Sequence, residues 1–253
     1  MFYSKKIAIL AVAALWGFSP AYANDDDSTL EAYNRAMFDF NMKLDDYVMK
    51  PMAKGYQAIT NEFVRERVKN FFSNLREPAV TINHSLQGNF TDSGKSLGRF
   101  VINSTLGLLG TFDVATGWKL APNKTNFDKT LASWCVPDGP FFVLPLFGPS
   151  TPRAATGLAV DAVADPLYWA DSYVNFGHSW KKYSFIYGLT ALGFVSAREE
   201  NLEFVDNLTA NAVDPYSMVK SAYVQNRLKI GACSAYVDEQ PASYDFDFDE
   251  DDD

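Results

Sequence analysis

The 253-residue chain has few of the side chains from which catalytic and metal sites are built. It contains two histidines and two cysteines, whereas a histidine-based metal site needs several ligands at ordered spacing. The stretch "GHSWK" at 177–181 lacks the fifth-position glycine of a serine nucleophile elbow. No phosphate-binding loop, dinucleotide fingerprint or H-E-x-x-H motif occurs. We therefore expect a protein that is not an enzyme and needs no cofactor and no metal ion.

Membrane-spanning runs, strand patterns and basic patches are missing as well. A transmembrane helix needs about 20 apolar residues in succession. The uncharged stretches 100–112 and 183–197 have only 13 and 15 residues, and we interpret both as buried core helices. Sustained two-residue alternation between hairpin turns is absent, so no strand is predicted. No basic patch with interleaved aromatic residues occurs, so we expect no nucleic-acid partner.

The negative charge is concentrated at the C-terminus. Nine of the 31 acidic residues and no basic residue lie in 238–253, which leaves 22 acids and 22 bases in the rest of the chain. A segment of this composition repels itself and buries too little apolar surface to fold. We predict a disordered acidic tail at 238–253. A solvated tail without a function is favoured over a tail that docks a basic partner or holds cations.

The N-terminus has the three parts of a secretory signal peptide. Lys5 and Lys6 precede an apolar stretch at 7–18, and Ala21-Tyr22-Ala23 forms a small-x-small cleavage site. We predict a signal peptide at 1–23, followed by a mature domain at 24–237. No cysteine lies near the cleavage site, so we expect no lipid on the mature N-terminus.

The two cysteines, Cys135 and Cys233, leave two alternatives open. They could pair in an oxidising compartment. Two buried thiols are slightly favoured over a disulfide.

The body of the chain is predicted to be helical. Ser28 and Glu31 form a capping box before apolar residues at three- and four-residue steps. This helix is expected to end near Lys50, because proline disfavours helical geometry in the residue before it. A second apolar stripe begins at Asn61, and Pro78 is expected to break it, with a short helix to Leu86.

The later helices are predicted from their caps. Thr91 caps the next helix, and Ser150 or Thr151 caps a helix that begins at Pro152. Residues 180–208 form one helix or two. Asp214-Pro215 opens the last helix, which ends at Gly231. With loops at 117–125, 136–151 and 164–180, the fold class is all-α, a single helical domain.

The segment "LEAYNRAMFDFN" at 30–41 resembles the opening of the MlaA/VacJ family, which maintains outer-membrane lipid asymmetry in Gram-negative bacteria. The similarity covers about residues 30–228. It continues through "KPMAKGYQAI", "VKNFFSNLREPAVTINHSLQGNF", "LGRFVINSTLGLLGTFDVA", "FDKTLASWCVPDGPFFVLPLFGPSTPRAATGLAVDAVADPL" and "DPYSMVKSAYVQNR".

The resemblance implies an all-helical, ring-like protein in the periplasmic leaflet of the outer membrane. Phospholipids misplaced in the outer leaflet would pass through its polar channel to a soluble periplasmic carrier of the Mla pathway. The resemblance also implies an outer-membrane porin as a partner. Two features differ from the family: the usual lipobox cysteine is missing, and Cys135 stands where relatives tend to have glycine. The alternative is a soluble periplasmic lipid-binding protein that shields acyl chains in a helical cavity.

The segment "GPFFVLPLFGP" at 139–149 is too rich in proline for a helix interior. Exposing its six large apolar side chains to water would cost roughly 9–18 kcal/mol. It must therefore pack into the core or face lipid. We predict a channel-rim loop, with a core plug as an equal alternative. The rim residues are Gly139, Pro140, Phe141, Phe142, Leu144, Pro145, Phe147, Gly148 and Pro149.

A phospholipid channel needs polar side chains within apolar helices. Six residues fit this description on the first and fourth predicted helices, and arginine in particular pairs with phosphate. A structural role is an equal alternative for each. The candidate channel or lipid-contacting residues are Asn34, Arg35, Asn41, Arg99, Asn103 and Ser104.

Overall fold

A computed structural model describes residues 28–173, 179–210 and 212–230, which form eleven α-helices, a π-helical stretch and a two-stranded sheet. The elements are α1 (Ser28–Leu44), the π-helix (Asp45–Met49), α2 (Lys50–Ile59), α3 (Glu62–Leu86), α4 (Phe90–Thr105), α5 (Val114–Gly117), α6 (Phe127–Ser133), β1 (Phe142–Leu144), β2 (Gly148–Ser150), α7 (Pro152–Ala164), α8 (Pro166–Tyr173), α9 (Ser179–Glu200), α10 (Leu202–Ala210) and α11 (Pro215–Ile230). The chain is all-α apart from this small sheet.

Two prolines do not interrupt the helices as predicted. The chain runs from α1 through the π-helix into α2, and Pro51 lies in the first turn of α2, where proline is tolerated. Pro78 lies inside α3, which continues to Leu86. A proline in a helix interior costs about 3 kcal/mol. The long packing of α3 on α4 outweighs that cost.

Most helix starts follow from capping side chains. Thr151 accepts a hydrogen bond from the Ala154 N–H and Pro152 begins α7, as predicted. Asp214 accepts from the N–H groups of Tyr216 and Ser217 at the start of α11. The prediction for Thr91 was wrong, because Asn89 caps α4 one residue before it begins.

The segment predicted as an irregular loop at 136–151 contains an antiparallel hairpin. Phe142 lies opposite Ser150, and Leu144 opposite Gly148. Each strand has three residues and β2 contains Pro149, so no alternation could be read from the sequence. The expected loop at 164–180 is also incorrect in part, because α8 occupies 166–173.

The packing of the helices closes on itself in two circuits that share α9. In one circuit α3, α6, α7, α8 and α9 are successive neighbours, and α9 returns to α3. In the other, α1 packs on the hairpin, which packs on α11, and α10, α9 and α2 complete the path through the π-helix. These circuits place the hairpin between the first and the last helix.

Cys135 follows α6 in a left-handed conformation with φ of 62°. It is exposed and disulfide-bonded, so the expectation of buried thiols is wrong for this residue. Its expected partner Cys233, the signal peptide 1–23, Gly231 and the acidic tail 238–253 lie outside the described residues.

Candidate functional site

The distribution of side chains is inverted relative to that of an ordinary water-soluble domain. Among the described residues, 15 polar or charged side chains are buried against 12 hydrophobic ones. Many large apolar side chains, in contrast, are exposed. None of the helices in the described ranges combines the length and apolar content that a bilayer crossing requires.

The rim segment divides into a buried base and an exposed tip. Phe141 and Val143 pack with Phe38 of α1 and Tyr216 of α11 in one hydrophobic cluster. Leu146 and Phe147 at the tip are 66% and 57% exposed. The base therefore matches the core-plug interpretation, while the tip faces outward.

Two predicted site residues on α1 hold the hairpin backbone. Asn34 is buried, donates to the Phe141 carbonyl at 3.4 Å and accepts from the Val143 N–H at 2.9 Å. Asn41 donates to the Leu144 carbonyl at 2.8 Å and accepts from the Leu146 N–H at 2.7 Å. These contacts fix Leu146 at a left-handed φ of 71°.

Arg35, the third predicted residue on α1, lies in a surface cluster. Its guanidinium pairs with Glu31 and Asp214, both at 3.0 Å, and lies over the Tyr216 ring. Hydrogen bonds from Ser217 and Arg35 lower the pKa of Asp214 to about 2. Burial and the hydrogen bond to Glu31 raise the pKa of Tyr216, so its phenol stays protonated and donates to that carboxylate. The cluster joins α1 to α11.

The three predicted residues on α4 lie together inside the molecule. Arg99 is buried and pairs with Glu77 at 2.8 Å and with Asp113 at 3.2 Å. Asn103 donates to Asp113 and accepts from the Ala115 N–H, and Ser104 accepts from Asn74. Burial alone would raise the pKa of Asp113, but hydrogen bonds from Thr116, Asn103 and Arg99 outweigh it and lower the pKa. Each residue thus has a structural partner, and a channel-lining role stays a prediction.

A charge cluster of buried Asp128 and Arg153 and half-buried Asp138 and Arg227 lies next to the base of the hairpin. Arg153 donates to Asp128 at 3.0 Å, and Arg227 of α11 contacts Asp128 and Asp138. Asp138 also accepts from Thr151 directly after β2. Burial opposes ionisation of Asp128, but hydrogen bonds from both arginines lower its pKa. The charge cluster therefore ties α6, α7 and α11 to the base of the hairpin.

The stretch "FVINSTLGLLGTF", expected as a buried helix, instead ends in an exposed apolar turn. We call residues 106–113 the corner loop. Leu108 and Leu109 adopt φ of 51° and 58°, and Leu109 is 71% exposed. Gly110 lies so close to Asn74 that an added Cβ would come within 2.3 Å of the Asn74 Cβ. The expectation of a core helix is therefore wrong for this half of the stretch.

Sequence reasoning missed the partners of the buried arginines. Glu77 precedes Arg99 by 22 residues, and Asp128 precedes Arg227 by 99. The available signal was the presence of charged residues next to apolar helical stripes. That signal marks Arg99 but does not indicate which acid it meets.

Comparisons with known proteins agree on one protein family. A family model described as MlaA lipoprotein matches residues 26–229. An uncharacterized protein of Rickettsia typhi is 36% identical over 198 residues, which cover 78% of this chain and 75% of that protein. A Haemophilus influenzae protein named intermembrane phospholipid transport system lipoprotein MlaA is 34% identical over 230 residues, or 87% and 86% of the two chains. The Escherichia coli K12 protein of the same name is 33% identical over 200 residues, or 78% and 75%.

One solved structure has a similar fold. It was reported as the structural basis for maintenance of bacterial outer membrane lipid asymmetry. It aligns with a TM-score of 0.63 and 35% sequence identity, covering 79% of this chain and 97% of that one.

Proposed function

Because the chain belongs to the MlaA lipoprotein family, we propose that it acts in intermembrane phospholipid transport. It removes mislocalised phospholipids from the outer leaflet of the outer membrane through a central channel and passes them to a soluble periplasmic carrier. This activity maintains lipid asymmetry and requires no catalysis. An outer-membrane porin is the proposed membrane partner.

The observation that carries the proposal is the inverted distribution of side chains. Moving one large apolar side chain out of water is worth about 1.5–3 kcal/mol. Exposed apolar residues recur at the corner loop, at the hairpin tip and along α9, where Phe194 is an example. Large exposed apolar patches mark membrane or protein contacts. A seat in the periplasmic leaflet of the outer membrane accounts for them.

The Haemophilus influenzae and Escherichia coli relatives are named lipoproteins, whereas no cysteine precedes Cys135 in this chain. We propose that the exposed apolar surface holds the protein in the leaflet without an N-terminal lipid. The hairpin tip bounds the lipid path as its rim, and the buried amide and arginine side chains frame the polar passage.

The missing cysteine favours one alternative, a soluble periplasmic lipid-binding protein. Cell fractionation separates the two functions. The conduit sediments with outer membranes and needs detergent for extraction, whereas the soluble protein stays in the periplasmic extract.

Deletion of the gene tests the transport function. We expect more phospholipid at the cell surface, measured by labelling intact cells, and a return to the parental level when the gene is restored on a plasmid. An unchanged level of surface phospholipid in the deletion strain would rule out the transport function.

A further inference from the structure

A polar cleft opens beside the corner loop. Its volume is about 450 Å³, which lies within the range of small-molecule sites. The walls come from α3 and from the segment that follows α4. The lining side chains include Glu66, Arg67, Asn70, Phe112, Asp113 and Thr116.

Arg67 is the one cation among the residues that line this cleft. Its guanidinium lies 4.8 Å from the centre of the Phe63 ring and 4.6 Å from that of Phe112. It pairs with Glu66 at 2.5 Å, while its buried Nε has no hydrogen-bond partner among the described residues. A planar guanidinium binds phosphate through two parallel N–H groups, and the contacts with Phe63 and Phe112 hold that of Arg67 in a fixed plane at the cleft.

Two carboxylates share the cleft with this arginine. Asp113 is held by Arg99, Asn103 and Thr116, which keep it ionised and fixed. The Glu66 side chain is 59% exposed and forms an ion pair with Arg67. The cleft therefore carries the Arg67–Glu66 pair beside Asp113, whose charge Arg99 balances. This set matches a ligand with one phosphate and one ammonium better than a purely anionic ligand.

The surroundings of the cleft are apolar. Phe63 contacts Phe112 edge to face, with ring centres 6.4 Å apart, and is 58% exposed. The exposed leucines of the corner loop belong to the same segment as Phe112. A charged cleft thus opens within an oily surface, which is the arrangement that a headgroup with two acyl chains requires.

We propose that this cleft binds the headgroup of a zwitterionic, primary-amine phospholipid. Arg67 takes the phosphate, Glu66, released from Arg67, takes the ammonium, and the acyl chains lie along the corner loop. The inference rests on the proposed function and adds a headgroup class to it. Phosphatidylglycerol would displace Glu66 from Arg67 in the same way but has no ammonium to pair with it.

The test measures binding of phosphatidylethanolamine and of phosphatidylglycerol with identical acyl chains to the purified full chain in detergent, by native mass spectrometry. The wild type should bind phosphatidylethanolamine about tenfold more tightly, the effect of one charge-assisted hydrogen bond. Arg67→Gln should weaken both lipids. Glu66→Gln should weaken phosphatidylethanolamine alone and bring the ratio toward one.

Two further variants separate headgroup contacts from structural damage. Arg67→Lys keeps the charge but not the planar fork, so it should bind between the wild type and Arg67→Gln. Arg76→Gln removes an exposed arginine on the same helix, outside the cleft lining, and should bind as the wild type does. If Arg67→Gln does not fold, Glu66→Gln decides alone, because Glu66 is exposed.

Three results would overturn the inference. Equal wild-type binding of both lipids rules out the amine preference. Wild-type affinities for both lipids in both Glu66→Gln and Arg67→Gln place the headgroup elsewhere. Absence of binding of either lipid to the wild type contradicts the proposed function as well, whereas the first two results leave that function intact.

Discussion

The hairpin (142–150) and the corner loop (106–113) are both short, apolar and built around left-handed residues, yet they differ in which side chains face outward. In the hairpin segment Val143 is fully buried, and the exposed apolar residues are confined to the tip. In the corner loop all four large apolar side chains are exposed. Similar hydrophobicity therefore leads to different environments.

The difference comes from where the polar partners lie. Asn34 and Asn41 reach the hairpin backbone from α1, which packs the hairpin between α1 and α11. In the corner loop the polar groups lie on the inner side, where the Asn103 carbonyl accepts from the Gly110 N–H at 2.7 Å. Arg99 holds Asp113 at the end of the same loop. Because these polar contacts occupy the inner side of the corner loop, its leucine side chains face outward.

The largest effect is expected from Arg99→Met, which removes the anchor of the corner loop. The variant leaves Glu77 buried without its cation, and breaking a buried ion pair in this way costs about 3–5 kcal/mol. Thermal unfolding in detergent, followed by circular dichroism, should show a clearly lower melting temperature. Arg35→Met is the matched control, because the ion pairs of Arg35 are exposed and it should melt close to the wild type. Equal losses in both variants would contradict the anchoring role.

A smaller effect is expected from Asn34→Ala at the base of the hairpin. The Val143 N–H would lose its acceptor in a buried position, at a cost of about 1–3 kcal/mol. Asn41→Ala makes the analogous change near the tip, where water can replace the lost partner of the Leu146 N–H. Urea unfolding should therefore rank Asn34→Ala below Asn41→Ala in stability. The reverse order would mean that the tip, rather than the base, holds the hairpin.

The helices could be predicted from the sequence wherever a local signal decides their ends. Thr151 with Pro152 and Asp214 with Pro215 are such signals, since a cap and a proline act within one turn. The prediction that Pro78 breaks the helix was wrong, because the packing of α3 on α4 outweighs the cost of a proline in the helix interior. Packing between helices cannot be predicted from the residues next to Pro78.

The candidate site was predictable only in part. Polar residues in apolar helices marked Arg99 and Asn103 as unusual, but their partner Asp113 depends on how the chain turns after α4. The hydrophobicity of 106–112 predicts burial, yet its large apolar side chains are exposed. Burial depends on the surrounding packing, and the close approach of Gly110 to Asn74 leaves no room for a side chain at position 110.

The smallest effect on stability is expected from two matched leucine substitutions, Leu109→Asn in the corner loop and Leu146→Asn at the hairpin tip. Both residues are exposed and left-handed, with φ of 58° and 71°, a conformation that asparagine tolerates better than leucine. The free energy of unfolding should therefore change by less than about 0.5 kcal/mol.

The two variants should differ instead in how they bind membranes. Removing a leucine from hydrocarbon weakens partitioning by about tenfold or more, which sedimentation with phospholipid vesicles measures. Leu109→Asn should lose more than Leu146→Asn, because Leu109 adjoins exposed Leu106 and Leu108 whereas Leu146 has only Phe147 beside it. A larger loss for Leu146→Asn would make the hairpin tip the deeper of the two segments. Wild-type partitioning of both variants would mean that neither segment enters the leaflet, and the exposed leucines would then need a protein partner to cover them.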